Sequence, residues 1–126
     1  MVRSIALGGG GTRGGLHVGA LRALEEFKGD LVFPDGIYGS SAGAFMAVAI
    51  AFNMKLDAIL TMYDTYFTAS NFIPQPKLDH VLTAIDRRGV FSMDTLMELV
   101  VKMFLENGVD LRGKRCCDAP QKLYIV

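Results

Sequence analysis

A serine flanked by glycines is the first group in this sequence that could do chemistry. The stretch "YGSSAGAF" has the spacing Gly39-x-Ser41-x-Gly43 and lies where a short apolar run gives way to an apolar helix. Small residues at both flanks suit a sharp turn from strand to helix, because a Cβ there would collide with the returning chain. The spacing alone fits two readings, a nucleophilic serine or a small residue in a tight structural turn.

A second glycine-rich stretch, "LGGGGTRGG", comes earlier and opens a helix. Its backbone N–H groups could stabilise a developing anion, such as the oxyanion of an acyl transfer. The same stretch contains Gly-x-Gly-x-x-Gly through Gly9, Gly11 and Gly14, which is typical of a dinucleotide-binding loop when it follows a strand. That alternative needs an acidic partner for the ribose, and Asp30 and Asp35 are near enough in sequence to serve.

Alternating strands and helices must position these two stretches. The apolar pattern predicts a strand over residues 1–7, a loop over 8–15, an amphipathic helix over 16–28, a short extended segment over 31–38 and a helix apolar all round over 42–52. This order predicts parallel pairing. Adjacent parallel strands end at the same edge, about 4.8 Å apart, so the loop and the serine turn should face one another.

The rest of the chain is predicted to be mainly helical. Helices are expected over residues 56–67, 78–87 and 93–106, and a final strand over 123–126. Two of the helices carry an apolar stripe that should face the core. The stripes are Leu16, Ala20, Leu21, Leu24 and Phe27 in the first helix, and Leu96, Leu99, Val100, Met103 and Phe104 in the last.

Composition excludes several classes of protein. With 126 residues, 51% of them hydrophobic and 21% charged, the chain is one globular domain or part of one. Thirteen basic residues balance thirteen acidic ones, so no long-range field recruits nucleic acid or an anionic membrane. Any membrane contact should therefore be local and apolar. No targeting peptide is apparent, and the longest apolar run is about half the length that spans a bilayer.

The cysteines and histidines do not form a recognisable metal site. Cys116 and Cys117 are adjacent, which makes a poor disulfide, and no Cys-x-x-Cys partner or nearby histidine accompanies them. They are predicted to be half-buried near a strand, in a protein from a reducing compartment. His17 is expected to pack or to form a hydrogen bond, and His80 to lie on a helix surface.

The two glycine-rich stretches together resemble the N-terminal part of the patatin-like phospholipases. The resemblance rests on "LGGGGTRGGLHVGAL" followed by "DGIYGSSAGAF", which match the Gly-Gly-Gly-x-Arg-Gly oxyanion loop and the Gly-x-Ser-x-Gly elbow of that family in order and separation. It is tight over residues 3–51 and loose afterwards. It implies an oxyanion loop at Gly9, Gly10, Gly11, Arg13 and Gly14, a nucleophile at Ser41, and elbow glycines at Gly39 and Gly43.

The family resemblance implies a three-layer α/β domain with a central, mostly parallel sheet. It also implies hydrolysis of lipid acyl esters by a Ser-Asp dyad, with no metal and no cofactor. The dyad aspartate belongs to an Asp-Gly-Gly or Asp-Gly-Ala motif, whereas the only Asp-Gly here is Asp35-Gly36, which should lie at the opposite end of the strand from Ser41. Asp118 lacks the glycine and precedes the last strand. We therefore expect residues 1–126 to be a partial patatin-like domain, truncated at its C-terminus and without its base.

The favoured function is that of a lipid acyl hydrolase acting at a membrane or micelle surface. We expect a cytoplasmic protein, peripheral on membranes, with no nucleic-acid partner; the oligomeric state is not predicted. One alternative is an inactive, lipid-binding remnant of such an enzyme, and another is the dinucleotide-binding domain. Acyl transfer in the manner of the malonyl-transferases would share the serine elbow, but it would need a histidine partner, which the sequence does not suggest.

Overall fold

The fold is taken from a computed structural model, which describes residues 1–10, 15–66 and 93–126. The predicted helix over 78–87 and His80 lie outside these residues. The strands are β1 (Ser4–Leu7), β2 (Gly36–Gly39) and β3 (Leu123–Ile125), and the helices are α1 (Gly15–Lys28), α2 (Ala42–Ala51), α3 (Leu56–Tyr66) and α4 (Met93–Glu106), with a short 3₁₀ helix at Cys116–Asp118.

The described strands form one parallel sheet in the order β1-β2-β3. Ile5 pairs with Ile37, and Ile37 pairs in turn with Leu123. Because the spatial order follows the chain and parallel crossovers are right-handed, the connecting helices fall on one face of the sheet. The predicted α/β fold with a parallel sheet is confirmed.

The two faces of the sheet differ sharply in burial. Ile37 and Leu123 point to the helical face and are buried in the core. On the opposite face the rings of Tyr38 and Tyr124 stack with their centroids 4.7 Å apart, and both side chains remain exposed. The described residues therefore supply two of the expected layers, the sheet and the helices on its inner face.

Helix α2 packs at the centre of the domain, which explains why it is apolar all round. Met46, Ala47 and Ile50 are almost completely buried. Asn53 adopts a left-handed backbone with φ 59° just beyond the end of this helix. The fold thus places one helix against all three described strands.

Helix α4 has the predicted bounds, and its stripe faces the core through Val100, Met103 and Phe104. The predicted inner face of α1 is partly wrong, because Leu16 and Phe27 are 76% and 87% exposed. The buried side chains of α1 are Val18 and Leu21. Apolar residues occur on two sides of this helix, so periodicity alone does not fix which side turns inward.

The prediction that the two cysteines are half-buried is wrong. Cys116 and Cys117 are both exposed, and they belong to the 3₁₀ helix, which contacts β3 as the prediction of a position near a strand expected. The Asp118 carboxylate accepts a hydrogen bond of 2.8 Å from the Arg115 backbone N–H, which closes this turn at the surface. Among the described helices, none is long and apolar enough to span a membrane.

Candidate active site

The turn between β2 and α2 holds Ser41 in an unusual backbone conformation. Strand β2 ends at Gly39, α2 begins at Ala42, and Ser41 between them has φ 52° and ψ −123°. A positive φ costs a residue with a Cβ about 1–3 kcal/mol and persists only where the surroundings enforce it. The result is a sharp turn that leaves the Ser41 side chain exposed at the end of the sheet.

The glycines on either side of Ser41 have no room for a side chain. A Cβ at Gly39 would lie 2.6 Å from the Cβ of Ala47, and a Cβ at Gly43 would lie 2.0 Å from the carbonyl oxygen of Leu7. The first turn of α2 is therefore pressed directly onto the end of β1. This close approach is the physical reason for glycine at both positions of the motif.

The start of the glycine-rich loop lies beside Ser41. A Cβ at Gly9 would lie 3.2 Å from the Ser41 Cβ and 3.7 Å from its Oγ. Gly9 and Gly10 are both exposed at this edge, as parallel pairing of β1 and β2 requires. The remaining loop residues proposed for the oxyanion hole, Gly11, Arg13 and Gly14, lie outside the described residues.

Three hydrogen bonds fix the backbone around this turn. The Ser40 N–H donates to the Leu7 carbonyl at 3.0 Å, and the Val126 N–H donates to the Gly39 carbonyl at 2.9 Å. On the loop side, His17 Nε2 lies 2.8 Å from the Gly8 carbonyl oxygen. Because a carbonyl only accepts, this contact requires the tautomer that carries a proton on Nε2.

Tyr63 is a contact of the loop that sequence reasoning missed. Its ring is buried, and a Cβ at Gly15, the first residue of α1, would lie 3.0 Å from Tyr63 Cε1. Burial raises the pKa of the Tyr63 hydroxyl, and a hydrogen bond with the Gly15 backbone partly offsets this effect. The only sequence signal was a tyrosine on the inner face of an amphipathic helix, where a buried hydroxyl needs a polar partner.

Two carboxylates that sequence analysis weighed as bases lie elsewhere. Asp35 precedes the first residue of β2, at the opposite edge of the sheet from Ser41, and accepts hydrogen bonds of 2.7 Å and 2.9 Å from Arg3. The Arg3 guanidinium lowers the pKa of Asp35. Asp118 is bound to Arg115 in the 3₁₀ helix that precedes β3.

The described part of the site contains an unengaged hydroxyl and backbone donors. In that part of the chain, the Ser41 hydroxyl makes no capping hydrogen bond to α2. Nor do three or more histidine, cysteine or acidic side chains cluster there as a metal site would need. A serine at a strained turn, next to exposed glycines, is an arrangement suited to attack on a carbonyl carbon.

Comparison with known proteins agrees with this geometry at the level of the family. A profile of the patatin-like phospholipases matches residues 5–119, which include both glycine-rich stretches. Comparison with curated proteins finds no match. Comparison with solved structures finds none either. The predicted resemblance is confirmed, and the chain belongs to the patatin-like phospholipase family of lipid hydrolases.

Proposed function

We propose that this protein hydrolyses the acyl esters of lipids and that Ser41 is the nucleophile. The observation that carries the proposal is the strained turn at Ser41, with φ 52°, directly beside Gly9. If the turn needed only a small residue, glycine would suit this position better than serine, because glycine adopts a positive φ at lower cost. Membership of the patatin-like phospholipase family supports a lipid substrate.

The reaction follows from the groups at the end of the sheet. Ser41 Oγ bonds to the carbonyl carbon of the ester, its proton passes to a base, and the carbonyl π electrons move onto oxygen. The N–H groups of Gly9, Gly10 and Gly11 stabilise this oxyanion. Collapse expels the alcohol, which takes the proton, and leaves an acyl-serine. Water then attacks the acyl-serine, releases the carboxylic acid and restores the hydroxyl.

The reaction needs a base to take the Ser41 proton. The family resemblance implies an aspartate, and neither Asp35 nor Asp118 has the required position, since each precedes its strand while Ser41 follows β2. In serine hydrolases that lack a working triad, the oxyanion hole and substrate binding still accelerate the reaction about 10³-fold to 10⁴-fold over water. This is only a small part of the full acceleration.

Labelling with a fluorophosphonate probe tests the nucleophile without requiring turnover. Wild-type protein should form a covalent adduct at Ser41, and Ser41→Ala should form none. Ser40→Ala is the matched control, because Ser40 is the neighbouring serine and its backbone hydrogen bond to Leu7 survives the change. If Ser41→Ala formed the adduct as fast as the wild-type protein, the proposal would be contradicted.

The same samples separate the proposal from its alternatives. Hydrolysis of a short-chain p-nitrophenyl ester that disappears in Ser41→Ala would show turnover. Labelling at Ser41 with no turnover, together with lipid binding, would favour an inactive lipid-binding protein. Affinity for NAD or ATP without any serine labelling would favour the dinucleotide-binding alternative.

A further inference from the structure

The far end of α2 borders an apolar cavity that the proposed reaction does not use. Its volume is about 210 Å³. A rise of about 1.5 Å per residue puts Val48 about 9 Å along the helix axis from Ala42, at the end of α2 that faces away from Ser41. The apolar wall of this cavity includes Val48 of α2 and its C-cap Phe52, Val100 and Val101 of α4, and Leu111 and Leu123.

Two basic residues take part in lining this cavity. Lys114 and Arg115 both line it and are exposed to solvent. Arg115 reaches the Asp118 carboxylate only at 3.4 Å and 3.5 Å, which is long for a charge-assisted hydrogen bond. Asp110, four residues before Lys114, is bound by Arg112 at 2.9 Å. Lys114 forms no ion pair within the described residues and interacts with Asp110 and Asp118 only at longer range, so its ammonium group is available to bind an anion.

We propose that this cavity binds the acyl chain of a fatty acid, with the carboxylate held at Lys114 and Arg115. A mainly apolar lining that includes two exposed basic residues matches a single-chain carboxylate in polarity and charge. An engineered protein cavity of about 150 Å³ holds benzene, which has six carbons. At the same volume per carbon, a cavity of about 210 Å³ should hold about eight carbons. This second site goes beyond the proposed hydrolysis and does not depend on it.

Binding is measured by calorimetry on the Ser41→Ala protein, so that no chemistry at Ser41 contributes. Hexanoate, octanoate and decanoate are compared below the concentrations at which they form micelles. Each added methylene should strengthen binding about fourfold until the cavity is full. Decylammonium, which has the same number of carbons and the opposite charge, should bind at least about tenfold more weakly than decanoate. Equal affinity for decanoate and decylammonium would overturn the charge-matched site.

Two substitutions test the two halves of the site separately. Lys114→Ala should weaken decanoate binding about threefold to fivefold, in the range of an exposed ion pair. Lys55→Ala is its control, because Lys55 is also exposed but lies outside the cavity wall. Val48→Phe should fill the cavity and abolish binding. If Val48→Phe fails to fold, the comparison of Lys114→Ala with Lys55→Ala still decides the proposal, and equal affinities in these two variants would overturn it.

The adjacent cysteines provide an independent readout of position. Cys116 lines the cavity, whereas Cys117 does not. In the Ser41→Ala background, Cys117→Ser leaves Cys116 as the only thiol, and Cys116→Ser leaves Cys117. Decanoate should slow the reaction of Cys116 with N-ethylmaleimide at least about fivefold and leave the rate of Cys117 unchanged. Equal protection of both thiols, or of neither, would place decanoate elsewhere and overturn the proposal. Such a result would not bear on the proposed hydrolysis, which fluorophosphonate labelling of Ser41 in the wild type tests separately.

Discussion

The two ends of helix α2 are packed in opposite ways. At its N-terminal end a single added carbon at Gly43 would lie 2.0 Å from a backbone oxygen. At its C-terminal end Val48 and Phe52 border a cavity of about 210 Å³. The helix is apolar along its whole length, so hydrophobicity does not separate the two ends. The difference indicates that close packing is concentrated where it fixes the position of Ser41.

The largest expected effect is that of Gly43→Ala. The new methyl group would meet the carbonyl oxygens of Leu7 and Gly8 at 2.0 Å and 2.6 Å, and backbone atoms cannot rotate away as a side chain can. We expect the free energy of unfolding in urea to fall by about 3 kcal/mol or more.

Gly19→Ala is the matched control for this change. Gly19 lies inside α1, and a Cβ there has nothing within 4 Å. Alanine at an open position inside a helix should stabilise the protein by about 0.5–1 kcal/mol. Similar small effects of the two substitutions would show that the N-terminal end of α2 is not close-packed.

A smaller effect is expected from neighbouring substitutions on α2. Ala47 is fully buried at the turn, where its Cβ already approaches Gly39, so Ala47→Val should destabilise the protein by about 1–3 kcal/mol. Val48→Ile should instead extend into the cavity and raise the free energy of unfolding by about 0.5 kcal/mol. Urea unfolding measures the free energy of unfolding of both variants. If Val48→Ile lost as much stability as Ala47→Val, the two positions on α2 would not differ in packing.

His17 should contribute a modest effect on reactivity. His17→Leu removes the hydrogen bond to the Gly8 carbonyl, which lies next to the proposed oxyanion donor Gly9. We expect the rate of fluorophosphonate labelling to fall about twofold to tenfold, the worth of one neutral hydrogen bond. His17→Gln keeps an N–H donor and should restore most of the rate. A rate that stays at the wild-type value in His17→Leu would show that this hydrogen bond does not position the loop.

The contrast between the ends of α2 also marks what the sequence could predict. The elbow was predictable because the two glycines that flank Ser41 indicate positions with no room for a side chain, and this limit is set by residues close in sequence. The bounds of α4 were predictable because its apolar period is regular. The exposure of Phe27 and of Cys116 was not, because it depends on which distant elements cover each surface. The cavity could not be predicted for the same reason, since its wall joins residues from four separate segments.

The smallest expected effect concerns acid stability near the far end of α2. Arg112 lowers the pKa of Asp110 from 3.8 to about 2, first through their side-chain hydrogen bond. A lowered pKa in the folded state means that the interaction stabilises the protein above about pH 4 and is lost as the pH falls towards 2. Titration of the Asp110 carboxyl by NMR checks this directly, and a midpoint near 3.8 would contradict it.

The most direct test of the central claim compares labelling of the folded and the unfolded chain. Reactivity at Ser41 should depend on the turn that β2 and α2 impose, because an isolated serine hydroxyl is a weak nucleophile. After brief exposure to a fluorophosphonate, mass spectrometry of digested native protein should locate the adduct at Ser41 alone. The same exposure in denaturing urea should give no adduct. Labelling spread over several serines, or labelling that survives unfolding, would contradict the claim that the fold makes Ser41 a nucleophile.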